Sequence, residues 1–101
     1  MFNTQGTGVF DFNAAIKMAE VSKPTAVADH GFIYTKNDGG TGEVFVLDAA
    51  DNETKISPHN DAGEWEYFSR NSRTGKTVRI NMEAMIRDLE TFTGNKYIES
   101  E

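Results

Sequence analysis

The chain has no cysteine, which excludes disulfides, thiolate metal sites and a thiol nucleophile. No apolar run approaches the ~20 residues that a membrane-spanning helix requires. The opening residues, 1–8, are polar and glycine-bearing, without the basic start and apolar stretch of a secretory signal. Positive charge is scarce as well: a net charge of −6 at pH 7 argues against general binding to nucleic acid or anionic membrane. Histidine occurs twice, and no serine sits in the glycine pattern of a nucleophile elbow. What remains is 101 residues, enough for one domain with a modest core and too few for a separate substrate domain.

The most informative stretch is 64–94. Trp65, Tyr67 and Ser69 alternate with Glu64, Glu66 and Phe68, as on the two faces of a strand. A polar turn with Asn71, Ser72 and Gly75 follows, and Thr77–Ile80 returns with Val78 and Ile80 on one face. The hairpin runs into a helix. Asn81 is placed to cap it, Glu83 suits the first turn, and Ile80 and Met85 occupy the positions of a hydrophobic staple. Met82, Met85, Ile86, Leu89 and Phe92 recur at three- and four-residue steps as one apolar stripe, and Gly94 supplies the stop. A helix of about eleven residues is marginal alone in water, so the stripe needs a surface to cover it. The hairpin is the nearest, and another copy of the chain is the next.

Upstream, residues 1–8 read as an extended arm, and 9–13 alternate with Phe10 and Phe12 on one side. Ala14–Val21 carries both helical and strand signals, with Ile16 and Met18 tilting it towards strand. Pro24 closes that segment. Residues 32–36 and 43–47 read as strands about a turn at 37–42, and a second turn at 48–52 leads to a strand at 53–56. The pattern predicts a mainly β (or α+β) fold: a short β-meander and hairpin followed by one C-terminal amphipathic helix. Within a single domain, 1–23 is an N-terminal arm or first strands, 24–63 the meander, and 64–101 the hairpin plus helix. One small helix cannot cover the apolar surface around Phe10, Phe12 and Phe45, and the missing layer is expected to be another subunit.

Two segments carry a resemblance. Pro24 leads a loop into a strand containing Tyr34-Thr35-Lys36, followed by a turn, an aromatic strand at Val44-Phe45-Val46, an acidic turn and Glu53-Thr54. That order resembles a segment of bacteriophage tail-fibre and related virion structural proteins. The continuation through Trp65, Tyr67, Gly75-Lys76, Leu89-Glu90 and Thr93-Gly94 is similar to a C-terminal module of phage-like environmental sequences. Together they cover 24–95. The resemblance implies a viral structural protein, a homotrimer made in the host cytoplasm and built into the virion beside other virion proteins, with no catalysis.

The remaining motifs are weaker. Thr74-Gly75-Lys76-Thr77 imitates the end of a phosphate loop, but Arg70 stands where that loop needs glycine, and Lys76 opens a strand rather than a helix. His30 and His59 lie among loop polar residues that bond their own turns, and no metal or other cofactor is expected. Glu64 and Glu66 are spaced as paired carboxylates but lack a substrate cleft; Arg79 is the expected cross-strand partner. Arg70, Arg73, Lys76 and Arg79 lie beside aromatics, a pattern that single-stranded nucleic acid can use, though four cations on an acidic chain are a thin footprint.

The reading is therefore a non-enzymatic virion protein acting through homo-oligomeric assembly. Met82, Met85, Ile86, Leu89 and Phe92, with Phe10, Phe12 and Phe45, are the expected assembly residues. The alternative is a small binding module recognising a host-surface glycan or protein through Trp65 and Tyr67, flanked by Arg70 and Arg73.

Overall fold

The computed structural model describes residues 8–99. Five strands follow in order: β1 (Phe32–Asp38), β2 (Thr41–Leu47), β3 (Asn52–Lys55), β4 (Glu66–Asn71) and β5 (Thr77–Asn81). Each pairs antiparallel with the next, giving one sheet ordered β1-β2-β3-β4-β5. The expected meander and hairpin are thus one continuous sheet, joined where Glu53 faces Arg70 and Thr54 faces Ser69. The fold is mainly β, as the sequence predicts.

Local chemistry sets the turns. Gly39 and Gly40 both take positive φ (66° and 100°), as the two-residue loop of a right-twisted hairpin requires. At the β2–β3 turn the Asp48 carboxylate accepts from the backbone N–H of Ala50 and Asn52, and Asp51 follows in the left-handed region at φ 70°. The helix α1 (Met82–Thr93) begins with no intervening residue after β5. Asn81 caps it, its side-chain oxygen accepting from Ala84 N–H at 2.9 Å. Gly94 ends it at φ 77°, donating its N–H to Glu90 O.

The alternation of strand residues assigns the two faces. Phe32, Tyr34, Lys36 and Asp38 share the inner face with Glu43, Phe45, Leu47, Glu53, Lys55, Glu66, Phe68 and Arg79. The buried apolar cluster there is Tyr34, Phe45, Leu47 and Phe68, with Ala26 and Phe32 packed against it. Phe45 stacks on Tyr34 at 6.0 Å and meets the edge of Phe68 at 6.3 Å. Arg79 of β5 reaches Asp38 of β1 at 3.2 Å, although three strands lie between them. A flat five-stranded sheet is about 19 Å across, too wide for two side chains to bridge. The sheet therefore curls around its inner face, and this ion pair clasps the two edge strands.

Three expectations are corrected. Among the described residues no strand precedes β1; the segment before it makes one isolated bridge, Glu20 with Thr35, so the strand leaning of Ala14–Val21 fails. The segment meets the edge strand β1 only there, where Val21 N–H donates to Thr35 O at 2.8 Å, and does not run along it. Phe45, expected on the assembly surface, is fully buried inside its own chain. The α1 stripe does not seal the hairpin either, since no residue of the helix is buried. Residues 1–7 of the predicted arm lie outside the described residues. Phe10 and Phe12 stack on each other at 6.3 Å and remain about half exposed.

Candidate functional site

The inner face holds a dense set of ionised groups. Lys55, almost fully buried, donates to Glu66, to Asp38 at 3.0 Å and to the His59 carbonyl at 2.8 Å. Arg79 donates to the same Glu66 at 2.6 Å and to Asp38, with its guanidinium 4.2 Å over the Phe68 ring. The predicted Glu66–Arg79 pairing is present, and Lys55 is the member that sequence reasoning missed. Beside it, Glu53 accepts from the Tyr34 hydroxyl at 2.5 Å and from Lys36 at 2.7 Å. Lys23 pairs with the buried Asp51 at 2.7 Å. These carboxylates are held in structural pairs.

Their electrostatics follow from those pairs. Burial pushes the Asp38 carboxyl up, but hydrogen bonds and charge from Lys55 and Arg79 outweigh it and hold the group below its usual range. Burial pulls the Lys55 ammonium down, and Glu66 and Asp38 more than offset this, keeping it above its ordinary value. Burial, then Glu53, raises the Tyr34 phenol. A depressed acid stabilises the fold fully above its unfolded value and loses that contribution as pH falls through the folded one. A raised base contributes fully below its unfolded value and loses it as pH rises through the folded one. The network is therefore expected to be intact between about pH 4 and pH 10. Thermal melts across pH check this: the midpoint should fall below about pH 4 and again above about pH 10.4. A midpoint indifferent to acid would contradict it.

The other predicted residues are dispersed. Arg70 donates to the Thr77 hydroxyl at 2.8 Å, and Arg73 donates to Ala49 O at 3.3 Å. By register Arg70 and Arg79 share the inner side of the sheet, where Arg79 is held by Glu66 and Asp38, while Lys76 lies beside Ser69 and Val78 on the other side, so the four cations form no common surface. His30 Nδ1–H donates to Ala28 O at 2.8 Å within its own turn, while His59 bridges Trp65. Among the described residues no three His, Asp or Glu side chains are grouped as a metal site. Glu64 accepts from the Asn60 and Asn81 side chains.

The surfaces left open lie elsewhere. On the outer face of the sheet, Ile33, Val46, Thr54, Ser69 and Val78 form one cross-strand row, and Thr35, Val44, Tyr67 and Ile80 belong to the next. Ile56, whose N–H donates to Val44 O, continues the second row. The strand positions of both rows are uncharged, and Glu20, bridged to Thr35, brings a carboxylate to the β1 end of the second row. Ile33, Ile56, Tyr67 and Ile80 are 37–59 % exposed. The second open surface is the stripe of α1: Met82 and Ile86 are half-buried, and Met85, Leu89 and Phe92 are 46–90 % exposed. Trp65 and Tyr67, the predicted ligand platform, are both close to half exposed. Among the described residues the exposed large apolar side chains are thus concentrated on one sheet face, one helix stripe and the segment before β1, with Tyr97 beyond the helix.

No family model matches the chain, nor does any curated protein or solved structure.

Proposed function

We propose that this chain is a non-enzymatic structural subunit of the virion appendage kind, working by assembly with copies of itself. The observation that carries the reading is the pair of uncovered apolar surfaces, the outer sheet face and the α1 stripe. A monomer gains nothing from an amphipathic helix whose apolar side faces water; helices of this length draw their stability from packing. Dimensions agree. The radius of gyration is 17.3 Å, whereas a compact chain of this length has about 13 Å. The buried carboxylates, each engaged by a cation or a hydroxyl, serve the fold rather than a reaction.

Light scattering coupled to size exclusion tests the reading. The expected native mass is three times the 11.2 kDa of the chain. A strict monomer at micromolar concentration would refute it. That result would favour a second reading, a small module binding glycan or protein through the exposed rings of Trp65 and Tyr67. Retention of specific sugars on a glycan array would then decide.

A further inference from the structure

We propose that the outer face of the sheet carries a binding site for a single acidic sugar ring, set between Tyr67 and Lys76. The site goes beyond the assembly reading and does not rest on it. Asn52 faces Asn71 across β3 and β4, and Asn71 N–H donates to Lys76 O, so these three residues form a polar row beside Thr54, Ser69 and Val78. A depression of about 180 Å³ lies between that row and the Tyr67 ring, lined by Asn52, Tyr67, Ser69, Asn71, Lys76 and Val78. A cavity of about 150 Å³ holds one benzene, so the space suits one six-membered ring.

The polar groups are already oriented. Asn71 uses its whole hydrogen-bonding capacity on the protein: Nδ2 donates to Ala50 O at 3.0 Å and to Asn52 Oδ1 at 2.8 Å, and Oδ1 accepts from the N–H groups of Arg73 and Thr74. It thereby fixes Asn52, whose Nδ2 also donates to Asp48 at 2.9 Å. One amide hydrogen and one lone pair of Asn52 are left over. The Ser69 and Thr54 hydroxyls share one hydrogen bond at 3.0 Å, which leaves one hydroxyl hydrogen to donate. No carboxylate lines the depression, and among the described residues the Lys76 ammonium has no ion-pair partner.

These groups select a ligand class. A pyranose has an apolar C–H side suited to the half-exposed Tyr67 ring and hydroxyls around its edge suited to Asn52 and Ser69. Lys76 adds one compact positive charge, which one carboxylate matches. A doubly charged phosphate fits less well, since the depression offers a single cation and a chain of net charge −6 repels it more strongly. The class is therefore a sugar acid of the uronic type.

Amide NMR shifts of the isotope-labelled chain test this, with methyl glucuronide, methyl glucoside and adenosine monophosphate as probes at millimolar concentrations. Methyl glucuronide is expected to move the amides of Asn52, Ser69 and Lys76, and methyl glucoside to bind about fivefold more weakly, the upper end for an exposed ion pair. Lys76→Met should bring the glucuronide down to the glucoside. Tyr67→Phe should keep binding of both sugars, and Tyr67→Leu should lose it; the spectrum of each variant reports its fold in the same experiment. Equal binding of the two sugars overturns the inference, as does tighter binding of adenosine monophosphate. Shifts centred on Trp65 overturn it in favour of the Trp65 platform. No shift with any probe, whether the depression is too shallow or another copy covers it, overturns it and leaves the assembly reading, which the native mass decides, standing.

Discussion

Lys55→Ala is expected to cost about 3–5 kcal/mol of folding stability, the range for breaking a buried ion pair from one side. The loss comes from what stays behind. Glu66 is almost fully buried and would keep only Arg79, while Asp38 would lose one of its two cations. The His59 carbonyl would lose its side-chain donor as well. Urea titration at a fixed protomer concentration measures the effect, since assembly shifts apparent stability. The double variant Lys55→Met with Glu66→Met provides the control. It removes both charges together and should recover most of the loss, because well-packed apolar replacements of a buried pair are often neutral or better. A single variant within about 1 kcal/mol of the parent would show that the network contributes little.

Phe45→Ala should be as damaging, at about 3–5 kcal/mol. Phe45 is the centre of the cluster: it is fully buried, stacks on Tyr34, receives the edge of Phe68, and lies 4.8 Å below the Lys36 ammonium. Only three other apolar side chains are buried among the described residues. Tyr34 is held by its hydrogen bond to Glu53, and Phe68 lies under the Arg79 guanidinium, so the site cannot readily collapse into the void. A domain of this size has about 5–15 kcal/mol in total, and the variant should be largely unfolded well below the melting temperature of the parent. Circular dichroism melts check this, and a midpoint lowered by only a few degrees would contradict the account.

The elements were largely readable from the chain, for reasons that differ along it. The 64–94 stretch carries every local signal in agreement: alternation through Glu66–Phe68, a polar turn, a cap at Asn81, a periodic stripe and Gly94. The Glu66–Arg79 pair was readable because cross-strand neighbours follow from the hairpin. The inward direction of Glu53 and Lys55 was not. In residues 53–56 the one large apolar residue is Ile56, and it faces outward, so hydrophobic alternation points the wrong way. A signal existed in the opposite charges two residues apart, which share a face and need partners. Phe45 was misplaced because an aromatic on a strand does not reveal whether its own sheet will curl over it. Ala14–Val21 failed because alternation alone does not make a segment run along an available edge: only Glu20 and Val21 meet β1. The open face itself could only emerge once the strand order was known.

The two inward charges of β3 also fix its phase between its neighbours. Sliding β3 by one residue would turn Glu53 and Lys55 outward and leave Asn52 and Thr54 inside. A slide by two restores the faces but not the chemistry. In one direction Glu53 arrives beside Glu66 and Asp38, carboxylate against carboxylate. In the other, Lys55 arrives beside Lys36, with only the Tyr34 hydroxyl for company. Either misalignment puts like charges together in a site nearly closed to water. A four-residue strand has few hydrogen bonds with which to hold its alignment; here two ions of opposite sign act as a key that turns in one frame only.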